Sequence, residues 1–144
     1  MAGIVVGIDG STVSQRALDW AVREAALRQT ELTVLAVHQV AVSSLTGRAM
    51  TTPEDGPDVD AARQAAQELA TKTISQLGAQ PPAVAVEAVS GLPAQELIKA
   101  SHGADLLVVG SRGAGGFAAL LVGSVSSQVV AHAACPVVVI RHTR

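Results

Sequence analysis

The residues best suited to chemistry in this chain lie in the stretch 110–127, which reads GSRGAGGFAALLVGSVSS. Gly110, Gly113, Gly115 and Gly116 crowd its first part. Glycine accepts positive φ and lets backbone approach a ligand closely, so such a cluster can turn N–H groups into a concavity. Past residue 122, Gly123-Ser124 opens a helical pattern with Ser124 as the expected N-cap. A helix N-terminus carries N–H groups without intrahelical partners and a partial positive charge, which together suit a phosphate. Arg112 and the hydroxyls of Ser111, Ser124, Ser126 and Ser127 add donors. The stretch therefore reads as an anion cradle, against the plainer alternative of a flexible Gly-rich surface loop followed by an ordinary cap.

The elements around it must bring a second group to the cradle. Leu106-Leu107-Val108-Val109, just upstream, is the fully apolar run of a strand buried on both faces. Ile4-Val5-Val6-Gly7-Ile8 has the same character and stops at Asp9-Gly10-Ser11, a turn with an N-cap. A helix pattern follows over 12–29, with Ala17, Leu18, Ala21, Val22, Ala25 and Ala26 on one stripe and Trp20 at its margin. The second strand is expected over 31–38 and an Ala-rich helix over 58–77. A third strand, expected over 83–89, alternates enough to lie near a sheet edge. Pro93 opens a short helix to about residue 102, with proline at the first helical position. The last helix is expected to about residue 133, and Pro136-Val137-Val138-Val139-Ile140 forms a fifth strand. Residues 39–57 show no periodicity, and a loop of that length often marks a lid or mobile segment.

Alternating strands and helices give an α/β fold: a doubly wound five-stranded parallel sheet, order 3-2-1-4-5, with helices on both faces. Strands one and four then adjoin where the winding reverses, and ligands of open α/β sheets bind at the carboxyl ends of strands there. The two loops meeting at that point are Asp9-Gly10-Ser11 and the Gly110 stretch. A carboxylate, a Gly-rich loop and a helix start thus surround one crevice, with Val37 at the end of strand two as an apolar wall for a base.

Composition narrows the class. The chain has 144 residues, the size of one domain spanning 1–144, and is 49% hydrophobic, 15% charged and 1% aromatic. A formal net charge of −2 argues against nucleic-acid binding driven by a basic surface. The single cysteine, Cys135, excludes an internal disulfide framework and reads as an inert, buried thiol. No apolar run approaches membrane-spanning length and no signal peptide is evident, so a cytoplasmic location and no membrane partner are expected. His38, His102, His132 and His142 share no metal-ligand spacing, and no second cysteine supports a zinc site. There is no G-x-S-x-G elbow.

Known phosphate loops fit poorly. A P-loop requires a Gly-Lys pair, which is absent. Gly113-Ala114-Gly115-Gly116-Phe117-Ala118 meets only the relaxed dinucleotide fingerprint, and that motif belongs after the first strand. What does match is Gly110-x2-Gly113-x9-Gly123-Ser124, which resembles the nucleotide-binding pattern of the universal stress protein family in its ATP-binding branch. The resemblance covers essentially the whole chain. It includes Val6-Gly7-Ile8-Asp9-Gly10-Ser11, Ala17-Leu18-Asp19-Trp20-Ala21 and the ending His132-Ala133-Ala134-Cys135-Pro136-Val137-Val138-Val139. The wording of these segments is similar to that of single-domain actinobacterial members.

The resemblance implies a site, residue by residue. Asp9 corresponds to the family's acidic residue near the ribose and phosphates, with Gly7, Ile8 and Gly10 beside it. Val37 corresponds to the residue whose backbone meets the adenine, and Val109 and Gly110 close over the nucleoside. Ser111, Arg112 and Gly113 begin the phosphate loop, while Gly123, Ser124, Val125 and Ser126 bind phosphates at the helix start. Gly10 replaces a bulkier residue of some members, and Arg112 stands at a position that often varies.

The implied function is that of an ATP-binding stress-response regulator or sensor, with magnesium (Mg2+) on the phosphates and an unidentified regulatory protein partner. The alternatives are a slow ATPase, a cyclic-AMP binder and a ligand-free interaction module, the last leaving the spaced glycines unexplained. No catalytic base other than Asp9 and no second carboxylate for a metal pair accompanies the phosphates, so at most slow hydrolysis is expected. Strand five has an uncharged edge, and both that edge and the resemblance imply a homodimer joined through Pro136 to Ile140.

Overall fold

The computed structural model describes residues 3–39, 57–111 and 123–141. Strand β1 (Ile4–Ile8) leads to helix α1 (Thr12–Arg28), strand β2 (Leu32–Gln39), helix α2 (Pro57–Leu77) and strand β3 (Val84–Gly91). Helix α3 (Pro93–Ser101), strand β4 (Leu106–Gly110), helix α4 (Ser124–His132) and strand β5 (Val137–Ile140) complete the order. All neighbouring strands pair in parallel, in the order β3-β2-β1-β4-β5. This is the doubly wound sheet that the alternation of elements requires. Element ends differ from the sequence expectations by a few residues. The segment between β2 and α2, read above as a lid or mobile loop, lies outside the described residues except at its ends.

The apolar runs fold this way because each central strand is covered on both faces. Ile4, Val6, Ile8, Leu32, Val34, Leu106 and Val108 point to one side, where Ala17, Leu18, Ala21, Val22 and Ala25 of α1 and Val59, Ala66 and Ala70 of α2 bury them. Trp20 is packed at the margin of this layer, as its place off the stripe predicts. Val5, Leu35, Leu107 and Val109 point to the other side, against Leu97 of α3 and Val129 of α4. The alanine stripe lets α1 lie close on the sheet. Burying each of these Val, Leu and Ile side chains contributes about 1.5–3 kcal/mol.

Caps fix where the helices begin and end. The Ser11 side chain accepts a hydrogen bond from the Ser14 N–H (3.1 Å) at the start of α1. Gln29 closes the other end in the left-handed region at φ +54°, its N–H directed to Ala25 O and Ala26 O. Pro93 stands at the first helical position of α3, where a missing N–H costs no helical bond. At α4 the expectation is corrected: Gly123, not Ser124, is the N-cap, with φ −64° and ψ 161°. Ser124 is the first helical residue. The chain is pinned there by the Gly123 N–H, which donates to Ser111 O at 2.6 Å.

Candidate functional site

The crevice arises where two strands part. β1 stays paired with β2 to its last residue, Ile8↔Ala36. Its register with β4 runs only from Ile4↔Leu106 to Val6↔Val108. Val109 and Gly110 continue instead alongside Val139 and Ile140 of β5. The carboxyl ends of the two central strands thus lean to different neighbours, and the sheet opens at the switch point of its winding.

On the β1 side, Asp9 and Gly10 are exposed and Ser11 is half-buried. The Ser11 N–H donates to Asp9 Oδ1 at 2.9 Å, the bond of an Asx turn. The Asp9 N–H donates to Ser14 Oγ (3.3 Å), whose own hydroxyl donates to Ser11 O (3.0 Å). Gly10 has φ +83° with nothing within 4 Å of an added Cβ, so backbone conformation alone calls for glycine there. Asp9 therefore serves as a turn residue, exposed just past the carboxyl end of β1. Ser14, 4% exposed, is a support that the sequence reading missed; its place three residues after the Ser11 cap was the available signal.

On the β4 side the structure gives reasons for glycine that do not involve a ligand. A Cβ at Gly110 would lie 2.6 Å from Val13 Cγ1 and 3.3 Å from the Val13 carbonyl carbon. At Gly7 it would lie 2.7 Å from Leu97 Cδ2. These two glycines let α1 and α3 close on the ends of β4 and β1. Val13 and Leu97, both buried, were not singled out from the sequence because the contacts span long sequence separations.

Beyond Gly110, Ser111 is buried and its N–H donates to Ile140 O at 2.8 Å. Its carbonyl accepts both the Gly123 N–H and the Ser126 hydroxyl, the latter at 2.9 Å. The end of β4 and the start of α4 are thereby stitched together. The first bond of the α4 ladder runs from Ser127 N–H to Gly123 O at 2.9 Å. The N–H groups of Ser124, Val125 and Ser126 precede it and have no acceptor within the helix. Ser124 and Ser127 are exposed, whereas Ser126 is 2% exposed. Val37, Val109 and Val125 all lie on the α3/α4 side of the sheet. Arg112 and Gly113 lie outside the described residues, as do Gly115, Gly116 and His142.

Two further titratable features lie among the described residues. His38 Nε2 lies 3.9 Å from Asp58 Oδ2, an exposed pair bridging the end of β2 and the start of α2. The Cys135 thiol is half-buried, and its pKa is raised by that burial and by the Asp105 carboxylate, which keeps it protonated and poorly nucleophilic. Among the described residues no group of three or more His, Cys, Asp or Glu side chains could hold a metal ion. Among them too, no helix is long and apolar enough to cross a membrane.

An open parallel sheet in this order, with a helix start that lacks a side-chain cap beside its switch point, defines a class, the doubly wound α/β proteins. Within it, a sequence model of the Universal stress protein family matches residues 2–141, and the chain belongs to that family. A universal stress protein of Mycobacterium tuberculosis (strain ATCC 25618 / H37Rv) is 40% identical over 145 residues, covering 96% of this chain and 47% of the relative. The chain thus spans about half the length of that curated relative. A universal stress protein of Bacillus subtilis (strain 168) is 36% identical over 147 residues, with 96% of this chain and 97% of the relative covered. A solved universal stress protein described as in complex with cAMP is 25% identical, with a TM-score of 0.69 over 99% of this chain and 98% of that one.

Proposed function

We propose that this chain binds ATP in the crevice between β1 and β4, with Mg2+ on the phosphates, and acts as a nucleotide-dependent regulator or sensor in a stress response. The observation that carries the reading is the start of α4, where the Ser124, Val125 and Ser126 N–H groups lie outside the helical ladder beside the end of β4. Such a helix start attracts negative charge. Exposed hydroxyls of Ser124 and Ser127 suit the same anion. Asp9 supplies a carboxylate on the β1 side. Mg2+ is held largely by phosphate and water oxygens, so one protein carboxylate suffices. Val37, Val109 and Val125 offer the apolar side for the base, while Gly7, Ile8, Gly10 and Gly110 shape the backbone around it. Ser111, Arg112, Gly113 and Gly123 complete the phosphate loop in this reading.

Cyclic AMP is the second reading, favoured by the solved relative described with that ligand. Mass spectrometry of nucleotide released from freshly purified protein separates the two. ATP is the expected species; cyclic AMP alone, or no nucleotide together with no measurable ATP binding, overturns the primary reading. Incubation of the same sample with ATP follows hydrolysis, expected well below ~1 s⁻¹, the lower end of ordinary enzymes.

The same reading includes assembly. β5 is an edge strand whose side chains are all partly exposed and uncharged. Such an edge exposes unpaired N–H and C=O groups, which a second copy presenting the same strand antiparallel satisfies. A homodimer through residues 136–140 is expected in light scattering at micromolar concentration, weakened by Val138→Pro; a chain that stays monomeric with and without ATP overturns it.

A further inference from the structure

Ser126 was read from the sequence as one of the phosphate-binding hydroxyls, but its hydroxyl is turned inward. Oγ donates to Ser111 O at 2.9 Å and lies 3.1 Å from Gly123 O. The side chain is almost fully buried. Ser111 O is also the acceptor of the Gly123 N–H. One carbonyl at the end of β4 therefore receives two donors from the first turn of α4, one from backbone and one from a side chain. The bonds join the two described ends of the segment 112–122. A hydroxyl contributes a single proton, and here it is committed to backbone carbonyls.

We infer that Ser126 is a positioning residue of the nucleotide site: its buried hydroxyl clasps the carbonyls of Ser111 and Gly123, and so sets where the open N–H groups of α4 point. The inference rests on the proposed ATP site and specifies how that site is built. It separates two tasks that the sequence pattern merges. Ser124 and Ser127 are exposed and so available to a ligand, whereas Ser126 is buried and works through Ser111. Phosphate recognition by N–H groups is directional, so a helix start that rocks against β4 loses affinity even with every N–H present.

The test compares Ser126→Ala with Ser126→Thr, measuring ATP affinity by calorimetry and amide hydrogen exchange in nucleotide-free protein. Loss of one such bond is expected to weaken ATP binding about tenfold in Ser126→Ala, with Ser126→Thr within about threefold of the parent. Exchange in nucleotide-free Ser126→Ala is expected to accelerate at Gly123 and Ser127, whose N–H groups donate to Ser111 O and Gly123 O, while β1, β2 and β4 keep their protection. Unchanged ATP affinity in Ser126→Ala overturns the inference while leaving the ATP site standing. Weakened affinity with unchanged exchange also overturns it, because the hydroxyl would then be a direct ligand. A parent protein that binds no adenine nucleotide overturns the site itself, a distinct result. If Ser126→Ala loses protection throughout the sheet, Ser126→Cys, of similar size with a weak S–H donor, is judged by the same criteria.

Discussion

Two helices begin at the carboxyl ends of the two central strands, and they begin differently. At α1 the Ser11 side chain caps the first turn by accepting the Ser14 N–H, and the Ser14 hydroxyl ties back to Ser11 O. At α4 the cap is Gly123, which has no side chain to offer, and the first-turn hydroxyl of Ser126 is spent on carbonyls rather than on N–H groups. The first start quenches part of its own positive end with a side chain; the second has no side-chain cap from its N-cap residue. In the proposed site both flank one crevice, and the contrast divides the labour between them. α1 holds Asp9 in an Asx turn at the rim, and α4 presents the anion-attracting pole. A helix start becomes a binding site less by what it adds than by which acceptors it withholds from its own N–H groups.

The largest expected effect breaks the open start outright. Replacing Gly113 and Gly123 together by valine should reduce ATP affinity by more than about a hundredfold, near 2.7 kcal/mol, with the fold retained by circular dichroism. Gly123 has a φ that any residue can adopt, so at that position the loss would come from bulk and not from backbone strain. Unchanged affinity would remove the phosphates from α4 and collapse the contrast between the two starts.

A gentler change converts one start into the other. Gly123→Ser places at α4 the side-chain cap that α1 already has, in a backbone conformation (φ −64°, ψ 161°) that suits an N-cap. Its hydroxyl would accept the N–H of Val125 or Ser126 in competition with phosphate. Stability by urea denaturation should rise by a few tenths of a kcal/mol, while ATP affinity falls about fivefold, near 1 kcal/mol. A variant that gains both stability and affinity would mean that the N–H groups are not the phosphate ligands.

The architecture was legible because its signals are local. Ile4-Val5-Val6 and Leu106-Leu107-Val108-Val109 are apolar on consecutive residues because both faces of the sheet are covered, and the right-handed crossover then prunes the possible strand orders to a few. The candidate site was legible as a set of residues, but not in the contacts those residues make. Ser124 scores as a better cap than Gly123 by residue type, yet the Gly123 N–H bond to Ser111 O decides where the helix begins. Likewise, Gly7 and Gly110 look like ligand-approach glycines, and only the packed structure shows the Leu97 and Val13 side chains closing on them. Tertiary contacts across long sequence separations carry that information, and residue spacing does not encode them. The role of Ser126 was hidden for the same reason, since its acceptor Ser111 stands across the glycine-rich segment.

The smallest effect falls on α1, and it sharpens the contrast from the other side. Ser11→Gly removes the side-chain oxygen that accepts the Ser14 N–H (3.1 Å) and leaves the backbone free to keep its other bonds. The Ser11 N–H still reaches Asp9 Oδ1, because that donor is main chain, and the Ser14 hydroxyl still reaches the Ser11 carbonyl. Glycine is a tolerable N-cap, so the expected loss of stability is only a few tenths of a kcal/mol, against ~1 kcal/mol for Ser11→Ala. Both variants are compared by urea midpoint at constant m-value. ATP affinity should stay within about twofold of the parent in Ser11→Gly, since in this division of labour α1 positions Asp9 and leaves the phosphates to α4. A severalfold gain in affinity would mean that uncapping α1 creates a second anion-attracting start at the crevice. The two helices would then differ in degree, set by their caps alone, and not in role.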